Sequence, residues 1–333
     1  MKKSLVALAA LAVVGAASAQ SSVTLSGTLD AGLEKIEGGA LQLQNSRNGT
    51  TQITVSGVED LGGGLKARFQ ISSSFDSTFD NAQAGARSGT TTANTQAQFS
   101  PSKLGNNGMF LALDGGFGSL VLGRPLNTLY SHSYTANGTK GVSGFAATNS
   151  IDAQGIYTAN AIQYVSPNLA GFTAQFEYAP SEVVNTKSTV SLGLKYASGP
   201  FGLSLVRDNA KAAAPGANNA AKTTQLAGFW DFGIAKLSAT YQDNSVAASN
   251  ADQRFVVGVN VPVGPGQFWA QYGVSEIANV GFGDSAKIVG LGYKYSLSKR
   301  TTAYVNVGSR NDAAAASSTT GGYGYGLGLQ HNF

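Results

Sequence analysis

The stretch Gly322-Tyr323-Gly324-Tyr325-Gly326-Leu327-Gly328-Leu329-Gln330-His331-Asn332-Phe333 decides how the whole chain reads. Its odd positions are aromatic or aliphatic apart from His331, and its even positions are glycines or amides. Successive side chains of a strand point to opposite faces, so this period of two gives one greasy face and one small, polar face. A dinucleotide-binding loop is excluded despite the glycines, because too few residues follow Gly328 to build the helix that such a loop needs.

The same alternation returns along the chain. Val23, Leu25, Leu29 and Leu33 oppose Thr24, Ser26, Thr28 and Asp30; Phe172, Ala174, Phe176 and Tyr178 oppose Thr173, Gln175 and Glu177; Phe255, Val257, Val259 and Val261 oppose Arg254, Gly258 and Asn260. Short turns bearing Gly or Pro separate these runs at residues 59–64, 114–118, 166–171, 197–201, 231–234, 262–267 and 297–301. Seven turns and two terminal strands make sixteen strands. Longer polar segments lie at the other strand ends, at about 34–50, 76–106, 125–158, 181–188, 209–223, 243–252, 275–285 and 309–321. An even strand number with short turns on one side and long loops on the other predicts an all-β fold, a 16-stranded antiparallel transmembrane β-barrel. A soluble sandwich or solenoid alternates too, with a charged mixture on its wet face. Here the polar face is Gly, Ser, Thr and Gln, and Tyr178, Tyr196, Trp230, Phe232, Tyr293 and Tyr295 sit near strand ends on the apolar face, where interfacial girdles belong.

Composition agrees with that reading. Only 12% of the 333 residues are charged, against roughly 25% for soluble domains. The absence of cysteine excludes disulfide scaffolds, thiolate metal sites and cysteine nucleophiles, and two histidines leave little catalytic material. A formal charge of +4 without a basic cluster argues against nucleic acid as a partner. Lys2 and Lys3, the apolar stretch from Leu5 to Ala17 and the Ala17-Ser18-Ala19 pattern read as a cleaved signal peptide over residues 1–19, leaving 20–333 as one barrel domain. No later run is long and apolar enough for a spanning helix. No catalytic constellation, metal cluster or cofactor motif appears, so the expectation is a channel without cofactors rather than an enzyme.

Alternation also sorts the charges. Leu65, Ala67, Phe69 and Ile71 point to lipid, so Lys66 and Arg68 point inward; the same test makes Lys195, Lys236, Arg254 and Lys294 luminal, against Asp30, Glu177 and Asp231. Six basic groups facing three acidic ones would concentrate anions in the lumen and give a weak anion preference. If the charges are scattered in depth, screening over about 8 Å would leave little selectivity.

Several segments resemble the Gram-negative general-diffusion porins, especially their β-proteobacterial branch: SSVTLSGTLDAG from Ser21, EDLGGGLKA from Glu59, LDGGFGSLVLGR from Leu113, SPNLAGFTAQFEY from Ser166, LSKRT from Leu297, and the terminal Phe333. The resemblance implies passive diffusion of ions and small hydrophilic solutes through a homotrimer in outer-membrane lipid and lipopolysaccharide. It implies that Phe333, Leu329 and Leu327 belong to a signal read by the barrel assembly machinery. It also implies a third external loop folded into the lumen, here the irregular segment 125–157, with Lys140 and Asp152 among its polar residues and Arg124 at its root as an eyelet candidate. Where many relatives carry arginines, this chain has the neutral Gln52 and Asn107. Two other functions compete with this one. A ligand-specific channel would use Trp269 and Phe229 as a stacking slide, and an outer-membrane phospholipase would need His132 or His331 on the lipid-facing wall.

Overall fold

The computed structural model describes residues 22–75, 104–136, 146, 156–181, 188–209, 220–246, 252–276, 286–311 and 322–333. In chain order they form β1 (Ser22–Ile36), β2 (Gln42–Asn45), β3 (Gln52–Gly62), β4 (Leu65–Ser74), β5 (Met109–Gly115), β6 (Gly118–Arg124), α1 (Thr128–Ala136), β7 (Ala161–Val165), β8 (Phe172–Ala179) and β9 (Thr189–Ser198). The second half supplies β10 (Phe201–Asn209), β11 (Ala220–Asp231), β12 (Lys236–Val246), β13 (Asp252–Val263), β14 (Gly266–Glu276), β15 (Ala286–Ser296), β16 (Thr301–Arg310) and β17 (Gly322–Asn332). All the strands join one sheet.

The sheet closes because β17 returns to β1, in antiparallel register from Thr28 opposite Asn332 to Ile36 opposite Gly324. Phe333 adds a last pair of backbone bonds to Gly27, at 3.0 and 3.1 Å. β2 and β3 are one wall position in two pieces, since both pair with the same edge of β1, β2 beside Ala31–Glu34 and β3 beside Ser22–Thr28. Counted so, the wall has the sixteen positions that the alternation predicts. Tight turns fall where the glycine and proline pattern puts them; Gly62, Gly63 and Gly64 all have φ between 60° and 83°, a backbone region that glycine enters without steric cost.

Burial follows the period of two, inverted relative to a soluble protein. Val23, Leu25, Leu192 and Leu329 are more than half exposed on the outer face, whereas Asp30, Glu177, Thr223, Gln225 and Asn244 are fully buried on the inner one. At the turn end of the wall the outward rings form a chain: Phe172, Tyr196, Phe201, Trp230 and Phe232 follow one another with centroids 4.6 to 6.4 Å apart, and Tyr293 meets Tyr295 at 6.5 Å. Tyr178 lies instead at the loop end of β8. The inner face is less uniformly polar than the sequence suggests, for Val206, Val256, Ile288 and Tyr304 point inward and are almost wholly buried.

The Phe333 ring lies where a side chain on Gly27 would be, within 2.3 Å of an ideal Cβ. Replacing Gly27 by leucine should push the ring out of the seam and cost roughly 1–3 kcal/mol, the usual penalty of overpacking. Urea unfolding of the refolded barrel in vesicles checks this; an unaltered midpoint would mean that the ring does not secure the seam.

Candidate functional site

The lumen is narrowed from within by α1. Sequence patterning suggests an irregular loop at 125–157, and the structure instead finds a helix over Thr128–Ala136. Its start is capped locally: Asn127 Oδ1 accepts the Tyr130 N–H at 2.7 Å, satisfying a first-turn donor. Glu177 of β8 anchors the same end. Its buried carboxylate accepts from the Thr128 N–H (3.1 Å), Thr128 Oγ1 (3.2 Å), Gln163 Nε2 (2.9 Å) and Thr158 Oγ1 (2.6 Å), so an anion sits at the positive end of the helix with its lone pairs satisfied. The helix runs along the inner face of β8 to β12. Gln175 of β8 accepts from Ser131 Oγ at 3.3 Å, and Gln225 Nε2 of β11 donates to the Leu129 carbonyl at 3.1 Å. Gly193 of β9 leaves room for His132, whose ring atoms lie 2.6 Å from where a Cβ would stand.

His132 is a positioning group. It is buried, and Nδ1 donates to the Thr128 carbonyl at 2.9 Å. Burial, opposed by that hydrogen bond and reinforced by the Lys195 charge, lowers its pKa to about 4.

Beside α1 lies a cavity of about 640 Å³, lined by Arg68, Gln70, Arg124, Ser131, Tyr157 and Gln175 among others. Arg68 reaches it from β4, its Nε 2.9 Å from Asp114 Oδ2 and its guanidinium 5.2 Å from the Phe110 ring centre. Arg124, at the end of β6, stacks its guanidinium 5.3 Å from the Tyr157 ring centre. Tyr157, whose pKa burial raises to about 12, donates its hydroxyl to Asn107 Oδ1 at 2.8 Å, and Asn107 Nδ2 donates to Gln52 Oε1. The neutral Gln52 and Asn107 therefore meet, in an uncharged chain on the cavity wall.

The remaining inward charges are placed by their strands. Lys66 lies in register with Asp60 and Asp114 near the β3–β4 turn. Lys195 of β9 faces the helix side, Lys236 Nζ sits 3.8 Å from the Phe229 ring centre, and Lys294 of β15 shares the inner face with Asp30. Each of these four lies within about five residues of a short turn, whereas Arg124 and Arg254 lie at the loop ends of their strands. The count of three inward acids is short: Glu34, Asp114 and Asp208, which share the inward parity of their strands, also face the lumen, and Arg47 pairs with Glu34 at 3.0 Å. Lys195, Lys236, Lys294 and Arg124 have no carboxylate within ion-pair distance among the described residues. Lys140 and Asp152 lie outside the described residues.

Neither rival finds its groups. Trp269 is 1% exposed, shut away from any passing solute, and His132 is buried on the luminal side of the wall, against Gly193. His331, at the end of β17, shares a hydrogen bond with Thr301 Oγ1 at 2.9 Å.

A closed wall, greasy outside and polar inside, with a helix folded into its bore, is the architecture of a diffusion channel. The family model described as Gram-negative porin matches residues 5–328. The chain belongs to the Gram-negative porin family. Outer membrane porin protein 32 of Delftia acidovorans is 32% identical over 92% of this chain and 89% of its own length. An outer membrane porin protein of Bordetella pertussis is 26% identical over the full length of both. Among solved structures, the anion-selective porin from Comamonas acidovorans superposes with a TM-score of 0.69 at 25% identity, covering 94% of this porin and all of that chain. The protein is thus an outer-membrane channel protein and not an enzyme.

Since folding lowers the His132 pKa below its ordinary 6.5, docking of α1 keeps its full strength above that pH and weakens as the pH falls towards 4. Open-channel noise in planar bilayers should rise over that interval, and His132→Gln channels should lack the rise. Identical acid profiles would remove His132 from this role.

Proposed function

We propose that this porin carries small hydrophilic solutes and ions passively, with a weak preference for anions, as a homotrimer in lipopolysaccharide-bearing outer membrane. The observation that carries the selectivity is the company of Arg68 and Arg124 on one cavity beside the inward helix. Arg68 shares its charge with Asp114, but Arg124 stacks on a neutral ring, and Lys195, Lys236 and Lys294 add positive potential along the wall. A narrow bore with low-dielectric walls focuses that potential, so chloride is favoured over potassium even where the net charge is small. The uncharged Gln52–Asn107–Tyr157 chain keeps the preference modest.

In the same reading, residues 1–19 are a signal peptide, the chain from Gln20 onward forms the barrel, and Phe333, Leu329 and Leu327 are recognised by the barrel assembly machinery. Lys66, Lys140, Asp152 and Arg254 complete the charged lining. The anion selectivity named for the Comamonas acidovorans porin supports the sign of the preference.

Reversal potentials across a potassium chloride gradient test the proposal. The purified trimer should favour chloride weakly. Replacing Lys66 and Arg68 by glutamate should turn the preference towards cations, and an unchanged reversal potential would remove these residues from the filter. Gln52→Arg with Asn107→Arg should strengthen the chloride preference; an unaltered preference would mean that the cavity is not on the ion path.

A further inference from the structure

Between β2 and β3 the chain leaves the wall at Asn45 and rejoins it at Gln52. The excursion turns at Ser46, which has φ 59°, and is closed by the Thr51 N–H donating to Ser46 Oγ at 2.9 Å. It folds inward, and one side chain receives it. Asp30, on the inner face of β1 and fully buried, accepts the consecutive N–H groups of Asn48 and Gly49 on Oδ2, at 2.6 and 2.7 Å, and the Tyr304 hydroxyl on Oδ1 at 2.7 Å. Thr51 Oγ1 accepts the Asp30 N–H at 3.1 Å. Asn48 Nδ2 donates to Gln330 Oε1, and Arg47 pairs with Glu34. Gly32 and Gly328 clear the way for the phenol: a Cβ on either would come within 2.5 Å of the Tyr304 oxygen. The segment therefore rests on β1, β16 and β17. With β2 and β3 counted as one of sixteen positions, that part of the wall lies across the bore from β8 to β12, where α1 is docked.

We propose that residues 46–51 are a second constriction element, docked on the wall opposite α1, and that Asp30 is the positioning residue that holds it there. The bore is then bounded by two inward elements rather than one. Two adjacent backbone donors converging on one carboxylate oxygen form a charge-assisted clamp, stronger than a neutral contact and directed along the chain. Arg47 is balanced by Glu34, so the element contributes neutral bulk from Asn48, Gly49 and Thr50. It sets how large a solute passes, while the sign of the ion preference is set elsewhere. This inference rests on the porin reading above.

Single-channel conductance tests it, on protein whose folded barrel is verified by its heat-modifiable mobility. Asp30→Ala should release the segment, and replacing residues 47–50 by two glycines should remove it. Each should raise conductance roughly 1.5-fold as the bore widens. Asp30→Ala added to the shortened chain should give no further rise, because a positioning residue with nothing to position has no effect on the bore. Asp30→Asn, which keeps an acceptor oxygen, should return conductance close to that of the wild type. The chain has no native cysteine, and the Gln330 side chain reaches Gly49, so a Gly49→Cys, Gln330→Cys pair, once oxidised, would lock the segment to β17. The locked channel should conduct like the wild type. Unchanged conductance in both released variants, or a locked channel that conducts differently, overturns the proposal. A wild-type protein that forms no channel would instead defeat the porin reading.

Discussion

Hydrocarbon offers no partner to a backbone N–H or C=O, and everything else in this molecule depends on that constraint. An unpaired peptide group in the bilayer costs several kcal/mol, so a sheet can cross only if it has no edge. The meeting of β17 with β1, completed by the two bonds between Phe333 and Gly27, removes that edge. Closure at sixteen positions leaves an interior too wide for wall side chains to fill. A wet bore is thus a consequence of the seam, and transport follows from shape and charge rather than from reactive groups.

Inside the bore, polar groups that would be satisfied by water in a plain tube are used to hold inserted chain. Glu177 accepts the N-terminal end of α1, and Asp30 accepts two backbone donors of the 46–51 segment. Each is a carboxylate buried by the element it binds, with hydrogen bonds in place of the lost hydration. The acidic residues of this lumen therefore act mostly as fasteners, and several of the basic ones remain free to act on ions. That division explains how a nearly neutral chain can still present a positive path.

The wall was legible from the residues because lipid and lumen impose opposite demands on alternate positions, and the terminal run from Gly322 to Phe333 states that alternation openly. Turns were legible because Gly62 to Gly64 and their counterparts need backbone conformations that few residues adopt. The inserts were not. α1 packs against a polar wall, so Thr128, Ser131, His132 and Ser133 carry no apolar stripe that would announce a helix. The 46–51 segment is held by Tyr304 acting on Asp30, a pairing 274 residues apart that no local pattern encodes. The inward charge balance was read only in part: parity places Glu34, Asp114 and Asp208 correctly, but their partners, Arg47, Arg68 and Ser191, come from register between strands.

The outward rings from Phe172 to Phe232 cover the same arc of wall that α1 braces from the other side. A sector gripped on both surfaces resists changes of tilt. When the surrounding bilayer is thinner or thicker than the apolar belt, the mismatch must be absorbed by strand tilt or by the lipid itself, at a fraction of a kcal/mol per Å. Adjustment then falls to arcs that are not gripped in this way, such as β4 to β6, so the channel would breathe asymmetrically as lipid composition changes.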